Sequence, residues 1–185
     1  MAEIFYTFQS TEFGPLALVW TEFGRQPSLC RVYLSNERFG AGELVKRDYR
    51  DVRMSSCGLI EKLGEQIEAF LAGADVRFEL DLVKFDLCTP FQREVLIAEH
   101  KIPRGWFTTY QRLAAALEKP TEARAIGTAL AHNPFPIIIP CHRAIRSDRT
   151  PGGFQGGLRM KRALLEREGI QFSQEGKVIT SRVYY

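Results

Sequence analysis

Pro140-Cys141-His142-Arg143 sets a thiol, an imidazole and a guanidinium on three consecutive residues. The thiolate is the reactive form of cysteine, and at its free pKa of ~8.5 only a few per cent is ionised near neutral pH. An adjacent imidazole can take the thiol proton, directly or through a water, and the positive potential of Arg143 favours the anion. A Cys-His dipeptide alone is a common accident of packing. Neighbouring residues rarely converge on one ion and no further ligands cluster here, so no metal site is expected. A thiol hydrolase normally draws its base from far along the chain. Only His100 and His132 remain for that role, neither in a recognisable context. Cys30, Cys57 and Cys88 form no C-x-x-C pair and read as small buried hydrophobes.

Further along, residues 150–157 (TPGGFQGG) form a glycine-rich loop, followed by a predicted helix over 158–168. Met160, Ala163 and Leu164 supply its apolar face and Gly169 stops it. Glu168 closes that helix, where the helix dipole disfavours an acidic group. Either it is an exposed glutamate tolerating a small penalty, or a carboxylate held by an imidazole or a cation. His142 is the natural partner. Cys141, His142 and Glu168 would then form a nucleophile–base–orienter relay.

The elements that must position these groups are well punctuated. Ile137-Ile138-Ile139, bracketed by Pro136 and Pro140, reads as a short buried strand that holds Cys141 on the turn after it. Thr89-Pro90-Phe91-Gln92 is a capping box with proline at the first helical position, opening a helix to about His100 that Pro103 stops. Thr108-Thr109-Tyr110-Gln111 is a second capping box, for a helix through about Glu118. Thr121 is expected to cap a third, ending near Asn133-Pro134. Two short helices joined by a tight turn make a helix-turn-helix candidate, with residues 121–132 in the recognition position. Ala123, Ile126 and Leu130 fall at i, i+3, i+7 and can pack inward. Arg124 and Thr128 lie on another face, beside the small residues Ala125, Gly127 and Ala129. Such a helix either lies against nucleic acid or packs on its neighbour with Arg124 in solvent. The first 80 residues read as strands over 4–8, 16–21 and 29–34, a helix over 56–72, and a strand over 78–85.

At 185 residues the chain can bury roughly 70% of its unfolded surface, enough for a core without staples. A content of 45% hydrophobic and 25% charged residues excludes a disordered or fibrous protein. No apolar run reaches the ~18 residues of a membrane span. The N-terminus lacks the basic and apolar regions of a signal peptide, so a cytoplasmic protein (nuclear in a eukaryote) is expected. The net charge of +3 is uneven: residues 1–80 carry −3 and residues 81–185 carry +6. The stretch 101–149 holds 8 basic and 3 acidic residues, an excess that points to a polyanion partner for the second half. Together these features predict a small α/β domain over 1–85, a sheet plus helix, followed by a mostly α-helical domain over 86–185 containing the helix-turn-helix.

The stretch NPFPIIIPCHRAI, the GGFQGG loop and the LLEREG helix end, with YQRLAAAL and ARAIG upstream, resemble the O6-alkylguanine-DNA alkyltransferases over about residues 88–170. The resemblance implies direct, irreversible, single-turnover transfer of an alkyl group from guanine O6 in double-stranded DNA to a cysteine. It implies a helix-turn-helix in the minor groove, base flipping, a monomer and no cofactor. By position, Cys141 would accept the alkyl group, His142 would activate it through a bridging water and Glu168 would orient His142. Asn133 would hold the turn bearing Cys141, and Tyr110 would line the base pocket and help protonate the leaving guanine. Arg124 would fill the gap in the base stack, with Thr121, Ala125, Gly127 and Thr128 along the DNA face. Ala144, Phe154, Gln155, Gly156 and Leu130 would line the pocket, and Gly157 would help keep its loop compact. Gln155 departs from the hydroxyl residue of human-type members, though a glutamine can still donate to O6. Leu130 stands where methionine often occurs, and zinc ligands of some animal members have no counterpart. Two other readings stay open: a lesion-sensing DNA-binding module with an inert cysteine, and a thiol hydrolase.

Overall fold

The computed structural model describes residues 3–23 and 26–185. The chain divides into two compact units, Met1–Leu87 with Pro134–Ile138, and Cys88–Asn133 with Ile139–Tyr185. The small segment falls with the first unit for two reasons. The Val32 N–H donates to the Pro134 carbonyl at 2.8 Å, and the Phe135 ring meets Phe85 edge-on at 5.9 Å.

In the first unit β1 (Ile4–Gln9), β2 (Leu16–Phe23) and β3 (Gln26–Leu34) pair antiparallel. A two-residue β4 (Arg53–Met54) adds in parallel to β1, giving the order β3-β2-β1-β4. Alternation along β2 sorts its side chains to two layers. Ala17 and Val19 pack with Cys30 against Leu44 and Val45 of α1 (Ala41–Asp48). On the other face Leu18 meets α2 (Gly58–Leu71) at Gly64, and α2 buries the expected stripe Ile60, Leu63, Ile67, Phe70 and Leu71. Sequence reasoning missed α1 and β4, which are short. The expected strand over 78–85 does not form. Only Val83 bridges to Leu29, and Phe85–Leu87 turn as a 3₁₀ helix.

The second unit is helical: α3 (Pro90–His100), α4 (Tyr110–Ala116), α5 (Ala123–Ala131) and α6 (Gly157–Arg167). One two-rung parallel ladder joins β5 (Thr108–Thr109) to β6 (Ala144–Ile145). The Thr89 hydroxyl accepts from the Gln92 N–H at 3.2 Å, as the capping signal requires. The Gln92 side chain does not complete the box; it donates to the carbonyls of Ala129 and His132. The second cap falls one residue later than expected. Thr108 is buried in the ladder, and Thr109 accepts from the Arg112 N–H. Thr121 caps nothing: it sits exposed in a 3₁₀ turn, Pro120–Glu122, and α5 starts without a side-chain cap. The isoleucine run is buried but is a turn, not a strand. Flanking prolines cannot donate to a ladder, and Ile137 takes φ 76°. The strand-like tail makes only single bridges, Phe107 to Val183 and Phe172 to Val178. Among the described residues no helix is long and apolar enough to cross a membrane.

Candidate active site

All groups of the site belong to the second unit. Cys141 opens a 3₁₀ turn, Cys141–Arg143, and its N–H donates to the Ile139 carbonyl at 2.8 Å. The Asn133 amide donates to that same carbonyl at 3.1 Å, so the residue ending the helical segment braces the turn. The thiol is 7% exposed and opens on a cavity of about 670 Å³. Burial pushes the thiol up to about 11, although the Asn133 amide and the Lys161 charge pull the other way.

Behind the sulfur lies a buried ion cluster. His142 Nε2 sits 3.0 Å from Glu168 Oε1, and both side chains are essentially fully buried. Arg143 grips the same carboxylate with both prongs, Nε to Oε2 at 2.9 Å and Nη2 to Oε1 at 2.8 Å. Its remaining arm donates to the Ile102 carbonyl at 2.6 Å. Burial opposes ionisation of Glu168, but His142 and Arg143 outweigh it and hold the carboxyl at about 2. Burial keeps the His142 imidazole below its usual range, despite the neighbouring carboxylate. A carboxylate has no hydrogen to give, so Nε2 carries the hydrogen and donates, and the lone pair resides on Nδ1. The C-terminal position of Glu168 is therefore stabilised by two buried partners, not merely tolerated.

Arg143 does not act on the sulfur in the way its adjacency implied, because its guanidinium is committed to Glu168. The cation that faces Cys141 is Lys161 of α6, which the sequence reading missed. Its side chain is fully buried, and Nζ donates to the carbonyls of Ala144 at 2.6 Å and Gly153 at 3.2 Å. The signal was available: Lys161 lies three and four residues before the buried Leu164 and Leu165, on the core stripe of α6.

The cavity wall gathers Tyr110, Arg124, Gly127, Thr128, Leu130 and Phe154 around Cys141, all singled out from sequence. His132, Gly153 of the glycine-rich loop and the unanticipated Arg146 also line it. Thr121 and Ala125 do not; with Arg124 and Thr128 they line a neighbouring groove of about 940 Å³ that runs to Thr89 and Gln92. Gln155, Gly156 and Ala144 are not on the cavity wall. Ala144 is fully buried with its carbonyl turned to Lys161, which corrects its expected place in the pocket. Phe154 meets the His142 ring edge-on at 6.2 Å. A Cβ on Gly156 would lie 2.2 Å from Met160 Sδ, so that thioether would have to move aside.

Tyr110 is clasped between two glycines. A Cβ on Gly127 would reach ordinary contact with its ring at 3.8 Å, while one on Gly152 would sit 2.7 Å from its hydroxyl. Gly152 also holds φ +71°, which costs a side chain about 1–2 kcal/mol. Gly152→Ala is accordingly expected to lower stability by at least about 1 kcal/mol and to shift the phenol. A thermal melt together with a change in Tyr110 fluorescence, absent in a Tyr110→Phe background, checks this.

Residues 90–170 match the family model described as 6-O-methylguanine DNA methyltransferase, DNA binding domain. A Methanothermobacter thermautotrophicus protein named methylated-DNA–protein-cysteine methyltransferase is 47% identical over 118 residues, covering 64% of this chain and 65% of that one. The Salmonella typhimurium protein of the same name is 36% identical over 161 residues, covering 84% and 91%. The crystal structure of Mycobacterium tuberculosis OGT in complex with DNA is similar at TM-score 0.69 and 29% identity, covering 89% of this chain and 93% of that one.

Proposed function

The chain belongs to the methylated-DNA–protein-cysteine methyltransferase family, and from that premise we propose that it repairs DNA by moving an alkyl group from guanine O6 to Cys141. One observation carries this reading: a buried thiol opens on a cavity with ample room for a purine, with a neutral imidazole oriented by a carboxylate directly after it in the chain. His142 takes the thiol proton on Nδ1, directly or through a water, and Glu168 stabilises the imidazolium. Sulfur attacks the alkyl carbon, the carbon–O6 bond breaks, and its electron pair stays on the guanine. Burial pushes the Tyr110 phenol up to about 12, so it keeps its proton until the departing base becomes basic enough to take it. The imidazolium then restores the phenol, and the thiol proton has in effect passed to the guanine. The product is a thioether with no route back, so each molecule acts once and no cofactor enters.

A base inside a duplex cannot reach a sulfur held in a protein wall, so it must be flipped out, at a cost of a few kcal/mol. We read α4, the Pro120 turn and α5 as a helix-turn-helix presented to the minor groove by a monomer. Arg124, Ala125 and Thr128 are exposed there, and the small residues allow close approach. Arg124, on the rim of both the cavity and the groove, fills the gap left in the stack. Mixing the protein with an oligonucleotide carrying O6-methylguanine should add the mass of one methyl group per chain. Binding without mass gain would leave a lesion sensor, and neither would leave a thiol hydrolase. Arg124→Ala should slow repair of duplex by at least about tenfold and of single strands far less, since only the duplex must be held open. Equal loss on both substrates would remove the wedge role.

A further inference from the structure

One carboxylate of α3 occupies a position that belongs to a hydrocarbon. Glu99 lies four residues after Val95 and three after Leu96, on the buried stripe, and is itself 0% exposed. Neither of its carboxyl oxygens has a hydrogen-bond partner. A buried polar group left this way is destabilising. From α6, the ammonium of Lys161 enters the same interior, and both act on Cys141 with opposite sign. Arg143 from the 3₁₀ turn, Tyr110 from α4 and Tyr185 at the chain end also feel the Glu99 charge. Arg146 faces Lys161 and Tyr110, and His142 feels Lys161.

A dry interior penalises net charge far more than balanced charge. With the thiol intact, Lys161 protonated and Glu99 ionised, these three groups sum to zero. With Glu99 protonated, the thiolate and the ammonium again sum to zero: the sulfur's proton leaves through His142, Glu99 takes its own from solvent, and Lys161 keeps its three hydrogens. We propose that Glu99 is a positioning residue that restrains Cys141: as a carboxylate it neutralises Lys161 and keeps the sulfur protonated, and as an acid it frees Lys161 to hold the thiolate. Burial pushes Glu99 up to about 8 and brings Lys161 down to about 8, so Glu99 passes from acid to carboxylate above neutral pH. A nucleophile that can be used once gains from such restraint, because stray electrophiles would otherwise consume it.

The inference rests on Cys141 as the acceptor, yet its test needs no DNA. The rate of Cys141 alkylation by iodoacetamide, followed by peptide mass against pH, reports the ionisation of this thiol. Glu99→Gln, isosteric and uncharged, should lower the midpoint of that profile by about one pH unit or more. It should speed alkylation about tenfold above about pH 8, where wild-type Glu99 is ionised, and change it little at pH 7. Lys161→Met should move the midpoint upward. The double variant should lie between, because Glu99 acts partly through Lys161. Glu99→Leu serves as the fold control: it should melt above the wild type and shift the profile in the same direction as Glu99→Gln. A Glu99→Gln profile that superimposes on the wild type, or moves upward, overturns the proposal. Slower alkylation with an unmoved midpoint overturns it too, since it marks a purely structural role. Failure of methyl transfer by the wild-type chain would instead strike at the repair reading, leaving these profiles to be judged on their own.

Discussion

Glu168→Gln will slow methyl transfer by at least about a hundredfold while DNA affinity stays within about twofold of the wild type. The carboxylate performs two tasks at once. It fixes the hydrogen on His142 Nε2, so that the basic lone pair falls on Nδ1, and it stabilises the imidazolium formed when the thiol is deprotonated. A carboxamide can accept one hydrogen bond from Nε2 but carries no charge to offset the imidazolium. It also leaves the Arg143 guanidinium buried without its counter-ion. Breaking a buried pair from one side costs about 3–5 kcal/mol, so the variant will melt well below the wild type. The pH dependence has a definite sign. Glu168 has its carboxyl lowered from 4.5 to about 2 in the folded state, so its contribution is complete above about pH 4.5 and is lost as pH falls toward 2. That contribution is about 3 kcal/mol. The stability gap between wild type and variant should therefore be widest near neutrality and shrink between pH 4.5 and 2 in acid titrations of denaturant midpoints. A gap that does not change with pH would detach Glu168 from the ion cluster.

Cys141→Ser should abolish mass gain altogether, with DNA affinity retained. Even the thiol is mostly protonated in the resting site, held up to about 11 by burial. Methylation is possible there because a sulfur anion is strongly nucleophilic and because His142 accepts the proton. A serine hydroxyl is a far weaker acid and a poorer nucleophile in the same surroundings. The oxygen also cannot reuse the polarisability that lets sulfur meet an alkyl carbon. Intact mass after prolonged incubation checks this. A methyl found on the serine variant would place the acceptor elsewhere, at Cys30, Cys57 or Cys88, none of which lines the cavity.

Much of the site could be read from local chemistry, and what escaped did so for physical reasons. The pairing of Glu168 with His142 followed from one rule, that an acidic residue at a helix C-terminus wants a partner. Arg143 as a second partner did not, because adjacency to Cys141 says nothing of where a long side chain reaches. Glu99 and Lys161 escaped because a charged letter interrupts an apolar stripe, although their spacing places both inside. Helices α3 and α4 were legible because threonine caps and prolines mark them. Thr108 shows the limit of such marks, since two adjacent threonines can both cap and the ladder claimed the first. In the first unit alternation over 78–85 was real, but alternation specifies a face and not a pairing partner. Short elements such as α1 carry too few turns to show a period at all.

The ladder between β5 and β6 has a consequence for the way this pocket can vary. Its rungs tie Thr108 to Ala144 and Thr109 to Ile145, so the residue before Tyr110 and the segment three residues past Cys141 are joined through main chain alone. The spacing between phenol and sulfur is thus set by peptide groups, which are common to every sequence. Side chains around the rim can be exchanged to admit bulkier or slimmer adducts while the reach from proton donor to acceptor atom is preserved. A proline that removes a ladder amide hydrogen from β5 or β6 would let the two walls drift apart.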